Sequence, residues 1–432
     1  MAAIIKPKIL KGFRDFLPSG EIARRALIEK IEASFRSFGF VPIDTPALEY
    51  AEILLGKGGG YTEKQIYRFT DQGGRDVALR FDLTVPFARF LAEHRQELPL
   101  PFKRYHIAKV WRGENTQRGR YREFTQCDFD IVGSDSPAAD FEILLLMRQT
   151  LLGLDAGDLT IRLNHRGLFN RFLSGINGSE HSAEILRIVD KLAKIGRDEV
   201  LGQLTETLGR DRAGWVLDFI EARGSFEEIL EAMTRAAGGE CAESERLALI
   251  RRFMIDTGTA ASFVLDPSIT RGLDYYTGVV YETFLNELPG IGSVCSGGRY
   301  DDLAGLYSPE KLSGVGSSIG LDRLMAALET LGRLRGANSY ARLVIACVKE
   351  EQAGAYQALA EKIRRRGIPC EVFPEAKNLT QQFILAEKKG ARWVIIPGES
   401  PESPLKLRDL GLRKDRETSL EEALQIIAKP DP

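Results

Sequence analysis

Two alternating segments on either side of a polar loop constrain the fold of this chain more than any other feature. Hydrophobic and polar residues alternate with the period of a β-strand from Phe102 to Arg112 and again from Tyr121 to Val132. Residues 113–120 between them are polar and include two glycines. The pattern predicts an antiparallel strand pair joined by a loop much longer than a tight hairpin needs. Because long loops between regular strands often carry function, we expect a functional loop on an antiparallel sheet.

The second of these strands has two chemically different faces. One face carries the apolar side chains of Cys127, Phe129 and Ile131, and the other carries Arg122, Phe124, Gln126, Asp128 and Asp130. A charged face of this kind usually lies against solvent. Taken alone, this strand favours the solvated sheet surface over the alternative, a polar binding site.

The pattern of hydrophobic residues changes twice along the chain. Residues 166–255 have helical spacing and separate two strand-rich regions. After a stretch of linker composition at 333–340, strands alternate with helices, which is typical of an α/β domain with a largely parallel sheet. We therefore predict an α+β domain with an antiparallel sheet over residues 1–332, a helical insertion at 166–255, and a C-terminal α/β domain over 341–432.

Composition limits the function classes but does not select one. No apolar run is long enough to cross a membrane, and the first residues lack the pattern of a secretory signal. Five cysteines are scattered without metal-binding or disulfide spacing, so we expect a cytoplasmic protein. The net charge of -2 permits a nucleic-acid partner only through local basic patches.

Any ATP site in this chain must be built without the common glycine-rich motifs. The sequence contains no GxxxxGK[ST] segment, and Gly314, Gly316 and Gly320 miss the Rossmann glycine spacing by one residue. The four histidines show no metal-ligand spacing, so we assign no dedicated protein ligands for a metal. Arginines on a sheet remain as the means of binding a polyphosphate.

Three segments supply the charged groups that such chemistry requires. We predict that a strand over Val77–Thr84 ends in Asp82-Leu-Thr84, that residues 112–130 carry arginines and carboxylates, and that residues 271–278 combine Arg271 with two tyrosines. Singly, each segment could be a salt bridge or a turn. Together they are what must converge on a small zwitterion and a polyphosphate.

These segments resemble the histidyl-tRNA synthetases, which are class II aminoacyl-tRNA synthetases. Residues 104–133 (RYHIAKVWRGENTQRGRYREFTQCDFDIVG) resemble motif 2, and RGLDYYTGVVYE (271–282) and SVCSGGRYDDL (293–303) resemble the two histidine-specific signatures. TPALE (45–49), LRFDLTVPFARF (79–90) and GVGSSIGLDRL (314–324) complete the set in the family's order. The resemblance implies a class II catalytic domain with a helical insertion, a C-terminal anticodon-binding domain, and a homodimer formed through residues 40–46.

The resemblance also implies roles for individual residues in ATP binding. The residues concerned are Arg112 at the α-phosphate, Glu114 and Arg120 in the motif 2 loop, Phe124 stacked on adenine, and Arg323 at the terminal phosphates. Magnesium is expected to accompany ATP, with Glu114 as one possible ligand. Planar guanidinium groups suit phosphate oxygens in a site without a P-loop.

A second set of residues is implied in binding histidine. The set comprises Asp82 and Thr84 for the α-amino group, Arg112 and Gln126 for orientation, Asp130 and Tyr276 for the imidazole nitrogens, Tyr275 and Tyr300 as pocket walls, and Arg271 between the histidine carboxylate and the α-phosphate. Arg271 and Arg112 would be catalytic, because they stabilise charge as the carboxylate attacks. The common bacterial pattern has a Glu where Asp130 stands, so the shorter carboxylate must be offset by closer packing or a bridging water.

The resemblance implies a reaction in which ATP and histidine form histidyl-adenylate, and the histidyl group then passes to the 3′ end of tRNA(His). The main alternative is a catalytically silent paralogue that serves as a regulatory subunit in histidine biosynthesis. Such paralogues usually lack the C-terminal domain and carry eroded signatures. Here Arg112, Arg271, Tyr276 and Arg323 are all present, and residues 341–432 supply a C-terminal domain.

Overall fold

The chain divides into two compact units, Met1–Arg14 with Leu27–Arg333, and Asp15–Ala26 with Leu334–Pro432. The structure is a computed structural model. It describes residues 5–56, 63–269, 276–301, 305, 307, 311–399 and 403–428. Arg271 and Tyr275 therefore lie outside the described residues.

The described strands of the first unit form two sheets. They are β1 (Val41–Pro42), β2 (Leu48–Tyr50), β3 (Arg68–Thr70), β4 (Asp76–Leu79), β5 (Phe102–Trp111), β6 (Glu123–Val132), β7 (Leu159–His165), β8 (Phe263–Leu265), β9 (Val279–Leu285), β10 (Cys295–Tyr300) and β11 (Gly314–Gly320). The large sheet has the order β1-β5-β6-β11-β10-β9-β7-β8, and β2-β4-β3 form the small one. From β5 to β7 every neighbouring pair in the large sheet is antiparallel, whereas β1 and β8 pair in parallel at its edges. The predicted hairpin of β5 and β6 is confirmed.

The first unit's helices lie before, between and after these strands. Those outside the predicted insertion are α1 (Pro18–Ser37, whose first half belongs to the second unit), α2 (Ala51–Leu55), α3 (Thr84–Glu93), α4 (Pro137–Gly153) and α12 (Leu321–Thr330). Those within residues 166–256 are α5 (Arg166–Gly175), α6 (Ser182–Val189), α7 (Leu192–Ile195), α8 (Arg197–Leu208), α9 (Arg210–Ile220), α10 (Phe226–Ala236) and α11 (Ala242–Asp256). No helix in the described ranges is both long and apolar enough to cross a membrane.

One face of the large sheet is the core of the first unit. Phe129 of β6 is fully buried, and its ring centroid lies 4.7 Å from that of Phe35 on α1. Ser136 caps α4 by accepting a hydrogen bond from the Ala138 amide, and the fully buried Met147 of that helix is an acceptor for the Thr283 hydroxyl of β9. The apolar face predicted for β6 is therefore the core-facing side, which leaves the opposite face for the polar residues.

The second unit contains a five-stranded sheet with the order β13-β12-β14-β15-β16. Its elements are β12 (Leu343–Ile345), α13 (Ala353–Arg364), β13 (Cys370–Val372), α14 (Leu379–Lys389), β14 (Trp393–Ile396), β15 (Leu405–Asp409), β16 (Lys414–Thr418) and α15 (Leu420–Ala428). Strand β12 pairs in parallel with β13 and β14, as expected for an α/β domain, while β15 and β16 extend the sheet in the antiparallel sense. The last two strands were not predicted; charged residues on both faces of β16 hide its alternation.

Candidate active site

The polar face of β6 is part of a buried cluster of charged groups. The strand register places Arg104 of β5 opposite Asp130, and Gly316 and Ser318 of β11 opposite Asp130 and Asp128. Asp128 and Asp130 are each only 2% exposed. The interpretation of this face as a solvated sheet surface is therefore wrong, and the residues form an enclosed polar site.

Two neighbouring side chains hold Asp130. The Tyr300 hydroxyl donates a hydrogen bond of 2.7 Å to its Oδ1, and Nη2 of Arg104 lies 2.6 Å from its Oδ2. Burial raises the pKa of Asp130, while the guanidinium of Arg104 and the hydroxyl of Tyr300 oppose that rise. The carboxylate is thus fixed by a cation and a hydroxyl donor.

Glycines on two adjacent strands leave the space in which these groups sit. A Cβ on Gly316 would lie inside the Asp130 carboxylate, and a Cβ on Gly298 of β10 would lie 2.8 Å from the ring of Tyr276. Tyr276 is half-buried and packs beside Tyr300. A residue larger than glycine at either position would therefore fill the space that Asp130 and Tyr276 occupy.

Asp82 reaches the site from the start of a helix whose first residue is Thr84. Both residues are buried, and Oδ1 of Asp82 accepts a hydrogen bond of 3.1 Å from the Val85 amide in the first turn of α3. The prediction that they end a strand is wrong, because β4 stops at Leu79 and α3 begins at Thr84. Asp82 is among the charges that raise the pKa of Asp128, so the helix start belongs to the same charged cluster.

Gln126 lies along the same face of β6, toward the polar loop. Its Nε2 donates a hydrogen bond of 2.9 Å to the Ser318 hydroxyl. Its buried Oε1 has no hydrogen-bond partner among the described residues. This acceptor is available for a donor on a bound molecule.

Arginines gather at the loop end of the hairpin. Nε of Arg112 donates to the Phe81 carbonyl at 2.8 Å, its Nη1 lies 3.6 Å from the Glu114 carboxylate, and its guanidinium lies 5.3 Å from the ring centre of Phe124. A backbone hydrogen bond from the Arg120 amide to the Gln117 carbonyl closes the loop. Three of the five predicted nucleotide residues, Arg112, Glu114 and Phe124, are thus neighbours.

The loop lies against α12, which brings a further arginine to this end of the site. A Cβ on Gly119 would lie 3.2 Å from the Cα of Arg323, so the loop backbone packs closely on that helix. Nη1 of Arg323 donates to the Ser293 carbonyl at 2.5 Å. Burial, together with the nearby Arg120 and Arg112, lowers the pKa of Arg323 to about 10. Several guanidinium groups held this close repel one another unless an anion binds among them.

The sequence-based assignment missed some residues that the structure places in the site. Arg104 and Asp128 received no role, although both lie in the motif 2 segment. The pairing of β5 with β6 could have indicated them, since residues directly opposite on antiparallel strands share a face. Within the described part of the chain, no three His, Cys, Asp or Glu side chains are grouped as metal ligands.

An antiparallel sheet that presents arginines and carboxylates on one face, in a chain without a P-loop, is the arrangement of the class II aminoacyl-tRNA synthetases. A family model described as histidyl-tRNA synthetase matches residues 12–324, and one described as anticodon binding domain matches residues 342–429. The chain belongs to the histidyl-tRNA synthetase family.

Individual relatives agree with this assignment. The chain is 52% identical to the histidine–tRNA ligase of Treponema denticola, with 99% of each chain covered, and 47% identical to that of Rhodopirellula baltica, with 91% of each covered. A crystal structure of histidyl-tRNA synthetase from a Nostoc species has a TM-score of 0.84 at 31% identity and covers 98% of this chain and 99% of that one. A Bacillus halodurans protein described as an ATP phosphoribosyltransferase regulatory subunit/histidyl-tRNA synthetase has a TM-score of 0.75 at 21% identity, covering 91% of this chain and all of that one. That last similarity shows a shared fold alone.

Proposed function

We propose that this chain is a histidine–tRNA ligase that activates histidine with ATP and transfers it to tRNA(His). In the first step the histidine carboxylate attacks the α-phosphorus of ATP. The bond between that phosphorus and the oxygen bridging to the β-phosphate breaks, and pyrophosphate leaves. In the second step a hydroxyl of the terminal adenosine ribose of the tRNA attacks the acyl carbon, and AMP leaves. The observation that carries the proposal is one sheet face with arginines at one end and buried carboxylates at the other.

The arginine end suits the nucleotide. Arg112 would bind the α-phosphate and stabilise the charge that develops on it, while Arg120 and Arg323 would bind the remaining phosphates. Burial lowers the pKa of Arg323, and Arg120 and Arg112 add to that effect; their repulsion is relieved when phosphate oxygens lie between the guanidinium groups. Phe124, beside Arg112, would stack on the adenine ring.

The carboxylate end suits histidine. Asp82 and Thr84 would receive the α-amino group, with Gln126 helping to orient the substrate through its unpaired Oε1. Asp130 and Tyr276 would hydrogen-bond the two imidazole nitrogens, and the ring of Tyr300 would form a wall. A site that satisfies both nitrogens rejects side chains that cannot supply them.

Two further roles rest on the family resemblance. Arg271 would lie between the histidine carboxylate and the α-phosphate, with Tyr275 beside it as part of the pocket wall. Both belong to the family's signature segment at residues 271–282, together with Tyr276. Arg271 would stabilise the attacking carboxylate and the α-phosphate in the same transition state.

Magnesium would accompany ATP in this site. The carboxylates of Glu114 and Glu282 both act on Arg323 electrostatically, so oxygen ligands of the kind Mg²⁺ prefers lie next to the proposed phosphate region. When bound, the ion would neutralise part of the phosphate charge. The arginines would position the phosphates.

The deciding experiment is ATP–pyrophosphate exchange driven by each of the twenty amino acids in turn. We expect exchange with histidine alone, and charging of tRNA(His) in a parallel assay. Exchange at background level with histidine would contradict the enzymatic function and favour the regulatory-subunit alternative. Exchange with histidine but no tRNA charging would contradict only the second step.

Two further properties belong to the proposal. We propose a homodimer through the region of residues 40–46, where β1 is an exposed edge strand of the large sheet. Sedimentation at assay concentration would contradict this if the chain ran as a monomer. We also place the activity in the cytoplasm, because tRNA charging supplies the ribosome; the cysteines among the described residues are free thiols, which is consistent with that compartment.

A further inference from the structure

Arg104 is a buried guanidinium on β5 that no part of the proposed reaction uses. Its side chain is fully buried, with its Nη2 beside Asp130 and its Cζ 4.1 Å from the ring centre of Phe87. Within the described residues, its Nε and Nη1 have no hydrogen-bond partner. An arginine that serves only the fold normally has its nitrogens satisfied, as Arg80 does through the carbonyls of Lys109 and Thr45.

The groups that face Asp130 explain why a cation is needed there. On its own strand Asp128 lies two residues away, and Asp82, at the start of α3, acts electrostatically on Asp128. His106 of β5 lies opposite Asp128, and burial lowers its pKa to about 4, so it stays neutral near pH 7.

Tyrosines also lie near Asp130: Tyr300 donates a hydrogen bond to it, and the buried Tyr281 interacts with it electrostatically. Burial holds the pKa of Tyr300 well above its usual value, and Tyr276 packs beside it. Burial also raises the pKa of Asp128 to about 7, and Arg104 is the strongest influence opposing that rise. Among the described groups that face Asp130, Arg104 is therefore the charge that favours an ionised carboxylate.

We propose that Arg104 is a positioning residue for histidine selection, which keeps Asp130 ionised and oriented so that it can accept a hydrogen bond from the imidazole N–H. The proposal rests on the role proposed above for Asp130. A carboxylate has about four acceptor positions, so contacts with Tyr300 and Arg104 leave room for a substrate donor. If Asp130 were protonated, it would lose acceptor capacity and bind the ring less well. Lysine would replace the charge of Arg104 but not its planar geometry.

The test compares wild type with Arg104→Met, Arg104→Lys and Asp130→Asn in pyrophosphate exchange between pH 6 and 9. Each KM for histidine is divided by the wild-type value at the same pH, which removes the titration of free histidine. Without the Arg104 cation the pKa of Asp130 rises, so the carboxylate ionises only at higher pH. For Arg104→Met we expect KM for histidine to rise about tenfold or more at pH 7, with most of that increase lost by pH 9.

The other variants separate charge from geometry. Arg104→Lys keeps the cation, so its defect should be smaller, about threefold, and independent of pH. Asp130→Asn has no group to titrate at this position, so its defect should not recover at high pH. KM for ATP should stay within about threefold of wild type in the two Arg104 variants, because the arginine end of the site is unchanged.

Arg80→Met is the matched control, since it removes a buried arginine that donates to the Lys109 and Thr45 carbonyls and the Thr45 hydroxyl, and not to Asp130. Thermal melting is measured for every variant, and Arg104→Gln replaces Arg104→Met if the latter does not fold. A pH-independent defect in the neutral Arg104 variant would overturn the proposal, as would a pH profile matched by Arg80→Met. Absence of histidine-dependent exchange in the wild type would instead contradict the proposed function itself.

Discussion

Replacing Gly316 with alanine places a methyl carbon in the space of the Asp130 carboxylate. Cβ atoms in proteins essentially never approach another heavy atom closer than 3.0 Å, and the added Cβ would approach Oδ1 of Asp130 more than 1 Å closer than that. It would also lie 3.0 Å from the Phe129 carbonyl oxygen. Strand β11 is hydrogen-bonded to β6 on one side and to β10 on the other, so its backbone has little freedom to withdraw. The carboxylate must therefore move by about 1 Å, a displacement that typically costs on the order of 100-fold in a preorganised site.

The expected result is a fall of about 100-fold in kcat/KM for histidine, equivalent to about 2.7 kcal/mol of transition-state stabilisation. KM for ATP should stay within about threefold of wild type, since the arginines are not displaced. The assay is pyrophosphate exchange, measured first with histidine varied at saturating ATP and then with ATP varied at saturating histidine. A thermal melt of each variant separates misplacement of the carboxylate from loss of the folded state.

Gly320→Ala is the matched control for this prediction. Gly320 lies on the same strand, but the nearest atoms to its added Cβ are 3.9 Å away. We expect near-wild-type kinetics from it. If folded Gly316→Ala kept more than about one third of wild-type kcat/KM for histidine, the position of Asp130 would not matter as argued. An equal loss in Gly320→Ala would point to the strand backbone instead.

Three further predictions concern the hydroxyl donor, the phosphate end and acid stability. Tyr300→Phe removes the hydroxyl that donates to Asp130, and kcat/KM for histidine in the exchange assay should fall by about tenfold, with KM for ATP unchanged. Arg323→Gln should raise KM for ATP by at least about tenfold, whereas Arg118→Gln, at an exposed position in the loop that packs on α12, should leave exchange unaltered. Burial lowers the pKa of His165 to about 4, so the unfolded chain takes up its proton as pH falls from 6.5 to 4 while the folded chain does not. Stability is lost over that range by up to about 1.4 kcal/mol per pH unit, and His165→Asn should make the acid side of a melting-temperature profile less steep.

Much of the fold follows from local patterns. The alternation over residues 102–132 predicts the β5–β6 hairpin, and the helical spacing after 166 predicts the run from α5 to α11. Predictions of this kind succeed where one face of a segment is apolar and packs into the core, because the apolar residues then recur with a period that is visible in the sequence. Strands β15 and β16 were not predicted; β16 is mostly exposed and carries charge on both faces, so burial imposes no visible period on it.

Placement of the site residues needed information from distant parts of the chain. Asp82 and Thr84 were predicted at a strand end, but they lie at the start of α3. The Val77–Thr84 segment is apolar enough for either element, and only the packing of the chain around it decides. Likewise Arg120 meets Arg323 because the loop packs on α12, a contact between segments about two hundred residues apart.

The β5–β6 strand pair shows both what local sequence pattern can predict and what it cannot. From the sequence alone, the period of two in β6 assigned Asp128, Asp130 and Gln126 to one face, and the set of motifs in order indicated the family. Tertiary structure decided that this face is buried, that Arg104 pairs with Asp130 across the hairpin, and that Gly316 leaves the carboxylate its space. The physical reason is that side-chain alternation is a property of each strand, whereas burial and strand register depend on contacts between distant segments.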